Sequence, residues 1–411
     1  MRRNVRKAAG ALAVLAAVGL VGVPPAYAGT RRGEAAYARR GEVVSVRHLT
    51  GMSADDTRTS LRTNGFDDGA VTHGVDGYQV VYRTVDARHR PTTASGLLVL
   101  PRGGGKALRT VSFAHGTESY RGDAPSVGTE PFVTSPVVTY AGAGFAAVAP
   151  DYLGLGEGPG THPWMDVPSE TTASLDMLRA ARDVAARQGR TLRRDVLVTG
   201  FSQGASAALG LARALRSGAD DRFGLAALAP VSGAYDFRGV ELPALLASDG
   251  KMSVAYATYL LVSWNRLHHL YRDPAEVFRA PYAARVDALF DGDTPGQDML
   301  AALPDSLGDL MTDKGFALLR TPGGRFAAAL RVSDAVCDWD PGVPTRLYWV
   351  TDDEQAVPAN TTSCVASFAE RGVHPTTVDL GTPDYEHSRH LGSAVAATAA
   401  TVRWFERLSP R

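Results

Sequence analysis

The run Gly200-Phe201-Ser202-Gln203-Gly204 narrows what this chain can fold into more than any other feature. It follows an apolar stretch, residues 195–199, and precedes a small-residue stretch with helical character, residues 205–215. A strand that turns abruptly into a helix strains the backbone of the residue at the bend. Only neighbours without a Cβ let the flanking chains approach closely enough. Such a turn lifts the serine hydroxyl above a sheet and aims a helix N-terminus at it. The amide of Gln203 is then free to stabilise a negatively charged oxygen. Ser202 is therefore the candidate nucleophile, and the bland alternative is an ordinary glycine-rich turn.

The rest of the chain supplies a sheet around that turn. Residues 78–84 and 95–100 are strand-like runs joined by a polar, proline-bearing turn, which predicts an antiparallel hairpin. Short apolar runs at 110–114, 144–149, 196–199 and 225–230 read as buried strands. Between them, residues 170–187 carry Leu175, Leu178, Ala181 and Val184 at helical spacing. Alternating strands and helices predict an α/β fold with a mostly parallel sheet covered on both faces. Residues 29–75 are polar and glycine-rich and read as a lead-in with a helix or two. From 237 to 335 the pattern becomes helical with no clear strand, for example over 252–267 and 274–289. Strands resume at 345–350 and 376–380, and a helix over 392–408 closes the chain. The expected organisation is a leader over 1–28, a first core segment over 29–236, a helical cap insertion over 237–335 and a second core segment over 336–411.

These motifs together resemble the α/β-hydrolase fold and, within it, bacterial secreted esterases and secretory lipases. The resemblance spans nearly all of the chain after its leader. It rests on His115-Gly116-Thr117 after an early strand, Asp151-Tyr152-x-Gly154-x-Gly156, the Ser202 turn, an acid before Val357-Pro358, and a late histidine before Trp404-Phe405. A serine hydroxyl is too weakly acidic to attack unaided, so a histidine must take its proton, and in this fold the order is Ser, acid, His. His390 matches the family's spacing to the final helix best, with His387 as the alternative. Asp353 is the preferred acid, in a row with Asp352 and Glu354. The spacing to Val357-Pro358 is one residue longer than the family pattern, which keeps the other two carboxylates open. The acid's task is to hold the histidine's tautomer and offset its charge. The resemblance assigns the second oxyanion donor, beside the Gln203 amide, to the backbone N–H of Thr117, with Gly116 as the alternative. It gives His115 a structural or oxyanion-loop role, and Asp151, Gly154 and Gly156 are read as shaping a loop beside the site.

Composition bounds the partners. Lys+Arg and Asp+Glu both number 43, so the formal net charge is zero and no bulk field favours a nucleic acid or an anionic membrane. A small-molecule or lipid ester recognised in a pocket is the expected partner. No metal or organic cofactor is expected, because no ligand spacing of the kind zinc needs is present. Arg2, Arg3, Arg6 and Lys7 precede an apolar run over 8–23 and the small-x-small pattern Ala26-Tyr27-Ala28. That is the layout of a secretory leader, with cleavage expected after Ala28 and secretion of the product. No later stretch is long and apolar enough to predict stable membrane insertion. An oxidising destination makes a Cys337–Cys364 disulfide the expected state of the two cysteines. Asn360-Thr361-Thr362 matches a glycosylation acceptor, but the bacterial type of the leader gives that match little weight.

Along residues 252–267, Tyr256, Tyr259, Leu260, Trp264 and Leu267 fall at helical spacing with Ser263 as a polar break. The stripe reads as core-facing, and in a cap one stripe can also line a substrate site. The chemistry these residues predict is ester hydrolysis through an acyl-enzyme. Its rivals are a peptidase or amidase or an acyltransferase on the same fold, and a non-catalytic binding protein on the same scaffold.

Overall fold

The computed structural model describes residues 39–408, except Thr129 and Asp249. The expected leader and its cleavage point lie outside the described residues. Nine strands form one sheet: β1 (Val43–Met52), β2 (Val75–Val85), β3 (Pro91–Pro101), β4 (Ala107–Ala114), β5 (Ala146–Pro150), β6 (Thr191–Phe201), β7 (Gly224–Val231), β8 (Arg346–Trp349) and β9 (Thr376–Asp379). Their order is β1-β2-β3-β5-β4-β6-β7-β8-β9. The first three pairings are antiparallel, and from β5 to β9 every pairing is parallel. This is the mostly parallel sheet that the apolar runs predict.

Side chains alternate across the central strands, so both faces bury apolar residues. On one face Val148, Val196 and Val198 pack with Leu178 and Ala181 of the helix Val167–Arg187 and with Ala208 and Leu211 of the helix Gln203–Arg216. On the other, Ala147, Ala149 and Leu197 pack with Val137 and Tyr140 of the helix Pro131–Gly142 and with Val402 and Phe405 of the helix Arg389–Arg407. Between β7 and β8 no described residue adds a strand to this sheet. The helices of that stretch gather a core of their own around Leu260, Trp264, Phe326 and Leu330, against which Trp164 and Met165 also pack.

Two local readings are corrected. The lead-in contains a long edge strand, β1, besides the helix Ala54–Thr63. Register shifts between Val43 and Ser45 and between His48 and Thr50 interrupt its pairing with β2. Its half-buried residues Val43, Val46, Leu49 and Met52 therefore recur every third position, which hides the period of two that marks a strand. Residues 274–289 are not one helix but two 3₁₀ turns, Pro274–Glu276 and Tyr282–Ala284, and the short helix Val286–Leu289. Pro281 lacks the N–H that a helix running through it would need.

Cys337 and Cys364 are joined in a disulfide spanning 27 positions. It ties the end of the helical insertion to the helix Ala359–Glu370, on either side of β8. A loop of this length stabilises by about 3.5 kcal/mol in the chain-entropy account. The double variant Cys337→Ala/Cys364→Ala is expected to melt several degrees lower, and an unchanged melting curve would show the bridge to be without consequence. No described helix is long and apolar enough to cross a membrane.

Candidate active site

Ser202 sits between the end of β6 and the start of the helix Gln203–Arg216 with φ 56° and ψ −120°. This is a strained, positive-φ conformation for a residue with a side chain, costing on the order of 1–3 kcal/mol. The two glycines make it attainable. A Cβ on Gly200 would lie 2.1 Å from the Gly204 carbonyl oxygen, and one on Gly204 would lie 2.0 Å from the Ala114 carbonyl oxygen. The Ser202 amide donates to the Val231 carbonyl at 2.9 Å, which anchors the bend to β7. Gln203 and Gly204 open the helix, so their N–H groups have no intrahelical acceptor.

His390 lies in the first turn of the final helix, which begins at Arg389, three residues earlier than its sequence pattern predicts. The Ser388 hydroxyl caps that turn by accepting from the Leu391 amide at 3.1 Å. The imidazole Nε2 is 2.8 Å from Ser202 Oγ, and Nδ1 is 2.9 and 3.0 Å from the two oxygens of Asp353. His390 and Asp353 are 2% and 5% exposed, so this chain of hydrogen bonds is shielded from water at its acid end. Asp353 Oδ1 also accepts from the Gln355 and Ala356 amides at 3.0 and 2.9 Å.

The other candidates are placed elsewhere. His387 is exposed, with φ 66° and its amide bonded to Asp384 Oδ1 at 3.1 Å. Asp352 takes a left-handed conformation, φ 58°, and is exposed to solvent. Glu354 turns toward the backbone of the histidine turn, where its carboxylate accepts from the Ser388 hydroxyl and from the His390 amide at 3.2 Å. Partial burial acts to raise its pKa, but these hydrogen bonds outweigh burial and hold it below the usual range. Asn360, in the apparent glycosylation site, is fully buried and donates its side-chain amide to Glu241 Oε2 at 2.6 Å.

The loop after β4 lies against the serine turn. A Cβ on Gly116 would be 3.7 Å from that of Ser202. His115 is buried, and its Nδ1 donates to the Gly116 carbonyl at 2.8 Å, while Tyr152 OH donates to the His115 carbonyl at 3.0 Å. Burial pushes the His115 pKa down to about 4, which suits a neutral structural residue. Thr117 Oγ1 accepts from Trp164 Nε1 at 3.0 Å. Asp151 is buried and accepts from the hydroxyls of Ser95 and Ser126, holding the loop after β5. Thr117, Ser202 and Gln203 face one small cleft, walled by Trp164, Phe237, Leu245 and Tyr256, with Glu241 and Gln355 also lining it. The aromatic stripe serves both purposes. Tyr259 stacks on Trp164 at 4.9 Å inside the insertion's core, and Tyr256 faces the cleft. Two larger hollows lie beside the β2–β3 turn and contain none of these residues.

Behind the site runs a buried chain that sequence reasoning missed. Gln203 Nε2 donates to Glu170 Oε1 at 2.7 Å and to His162 Nε2 at 2.8 Å, and His162 Nδ1 donates to the Leu153 carbonyl at 2.9 Å. No local pattern announces it, because the partners lie 33 and 41 positions from Gln203. Burial pushes His162 down to about 3 and Glu170 up to about 8. Glu241, also buried, is pushed up to about 7. Folded Glu170 thus keeps a proton that the unfolded chain has lost above about pH 4.5. Its stabilisation is complete below that pH and is lost as pH rises through about 8. Glu170→Gln keeps a neutral partner for Gln203 at every pH. The wild type is expected to lose Tm relative to this variant between about pH 5 and 9, and parallel curves would refute the assignment.

The geometry joins a strained serine, an imidazole and a buried carboxylate beside an apolar cleft, an arrangement suited to nucleophilic acyl transfer. Among the described residues, no group of three or more His, Cys, Asp or Glu side chains is placed to hold a metal ion. A family model described as the alpha/beta hydrolase family matches residues 113–401. The chain is similar to the rice cell wall degrading esterase LipA from Xanthomonas oryzae, at 26% identity over 90% of this chain and 98% of that one, with a TM-score of 0.77. A putative hydrolase from Legionella pneumophila shares the fold at 22% identity over 90% and 99% of the two chains, with a TM-score of 0.81. So does Candida antarctica lipase A, at 14% identity over 85% and 78%, with a TM-score of 0.61. No curated protein matches the chain in sequence.

Proposed function

Because the chain belongs to the alpha/beta hydrolase family, we propose that it is a secreted serine carboxylesterase or lipase working through Ser202, His390 and Asp353. The observation that carries this reading is the unbroken line of hydrogen bonds from Ser202 Oγ through His390 to Asp353, at 2.8 and 2.9 Å, above the strained turn.

In the first half-reaction His390 Nε2 takes the hydroxyl proton as Ser202 Oγ bonds to the ester carbonyl carbon. The carbonyl oxygen becomes an oxyanion, held by the backbone N–H groups of Gln203 and Thr117. As the carbonyl re-forms, the C–O bond to the alcohol breaks and His390 returns its proton to the leaving alkoxide. Water then attacks the acyl-enzyme, giving its proton to His390, and the collapse releases the carboxylic acid and restores the serine hydroxyl. Throughout, Asp353 accepts from Nδ1–H, fixing the tautomer and offsetting the imidazolium charge. The charged start and apolar run of the leader, with the disulfide, support export. A helical insertion with its own core beside the cleft supports a cap that shapes substrate access.

The esterase similar to this chain supports an ester as the bond attacked. The test is a comparison of nitrophenyl esters with aminoacyl anilides. Hydrolysis of the esters, with anilide turnover at least about a hundredfold lower, is expected. Equal or greater turnover of the anilides would replace this reading with a peptidase.

A further inference from the structure

The catalytic cleft does not end in an apolar wall. It abuts a second small hollow, and Glu241, Leu245, Tyr256 and Gln355 line both. Three of these four are polar. Tyr256, from the helix Lys251–His268, donates its hydroxyl to Gln355 Oε1 at 2.5 Å. Gln355 stands two residues after Asp353, so this hydrogen bond latches the helical insertion to the loop that carries the acid. Glu241 stands beside the latch, 6% exposed, with its Oε2 accepting from the Asn360 side-chain amide at 2.6 Å. Beyond the partition the second hollow runs past Ser253 to Met252, which is 37% exposed at the surface.

We propose that Tyr256, Gln355 and Glu241 form a polar end-stop that limits the length of the ester chain lying in the cleft. The proposal rests on the esterase reading of Ser202. An alkyl chain that grows from Ser202 gains by burying each added methylene against Trp164, Phe237 and Leu245. At the partition the gain ends. The next methylene must displace the Tyr256–Gln355 bond or lie against the Glu241 carboxyl, and neither group finds a replacement partner on a hydrocarbon. The enzyme therefore selects short chains although open volume lies immediately behind the stop. Opening the partition joins the two hollows into one tunnel that reaches the surface.

The test uses the whole protein and two homologous series, nitrophenyl esters of lengthening acids and acetates of lengthening alcohols. Tyr256→Ala removes both the ring and the latch, Glu241→Leu makes the stop apolar, and Tyr256→Phe keeps the ring and removes only the latch. In one of the two series, the ratio of kcat/KM for an eight-carbon chain to that for a four-carbon chain is expected to rise at least about tenfold in Tyr256→Ala. It should rise by a smaller factor in Glu241→Leu and Tyr256→Phe. If Tyr256→Ala fails to fold, Tyr256→Phe carries the test, since it removes only one hydroxyl. Ratios unchanged in both series for every folded variant overturn the end-stop. Labelling of Ser202 by a fluorophosphonate separates the two readings. A labelled serine with unchanged ratios sinks the end-stop alone, and an unlabelled serine in folded wild-type protein sinks the esterase reading beneath it.

Discussion

Ser202→Ala is expected to lower kcat/KM for a nitrophenyl ester by a factor of about 10⁴–10⁶ and to leave the fold intact. The loss is large because the variant has neither a nucleophile nor a proton for His390 to remove. Some rate above that in water is expected to survive, since the proposed oxyanion donors, the Gln203 and Thr117 amides, are untouched by the substitution. The fold survives because alanine keeps the Cβ that the strained φ of 56° already accommodates, and the contacts of Gly200 and Gly204 do not involve the hydroxyl. Among the described residues, the side chain loses only its hydrogen bond to His390. Esterase kinetics, a melting curve and fluorophosphonate labelling of wild type and variant check each part. An alanine variant that keeps more than about a hundredth of wild-type kcat/KM would remove Ser202 from the mechanism.

Asp353→Asn is expected to cost about 10³–10⁴ in kcat, against less than about tenfold for Glu354→Gln. Both acids stand in one turn and both bond to the histidine segment, but to different parts of it. Asp353 meets the imidazole Nδ1, so an amide there presents a donor to a donor or forces the other tautomer, leaving Nε2 protonated and unable to act as base. The amide oxygen of the asparagine variant can still accept from the Gln355 and Ala356 amides, so Tm should change little. Glu354 meets the His390 amide and the Ser388 hydroxyl, which a glutamine oxygen can still accept. Comparable losses in the two variants would overturn the assignment of the acid.

The readable part of this protein was the part encoded over short distances. Apolar runs at β4, β6 and β7 are buried on both faces, so no polar alternation obscures them. The two register shifts of β1 and the prolines of residues 274–289 defeated periodicity for the opposite reason, because the backbone departs from the regular repeat on which the pattern depends. The buried chain from Gln203 to Glu170 and His162 was invisible for a third reason. Glutamate and histidine at surface-like positions in the sequence acquire their meaning only when the helix Val167–Arg187 packs against the serine turn.

Sequence alone pointed to the kind of chemistry proposed: a candidate nucleophile at a glycine-flanked bend, with a candidate acid and a histidine following in order. It did so because a strand-turn-helix junction is a local steric event, decided by which residues lack a Cβ. Tertiary structure decided which of two histidines meets the serine and which of three adjacent carboxylates meets that histidine. Side chains of neighbouring residues leave a turn in different directions, and only the parallel packing of β8 beside β7 and the capped start of the final helix set which of them points inward. It also decided that the cleft ends at a polar partition, since Glu241, Tyr256 and Gln355 come from three separate segments and meet only in the folded chain.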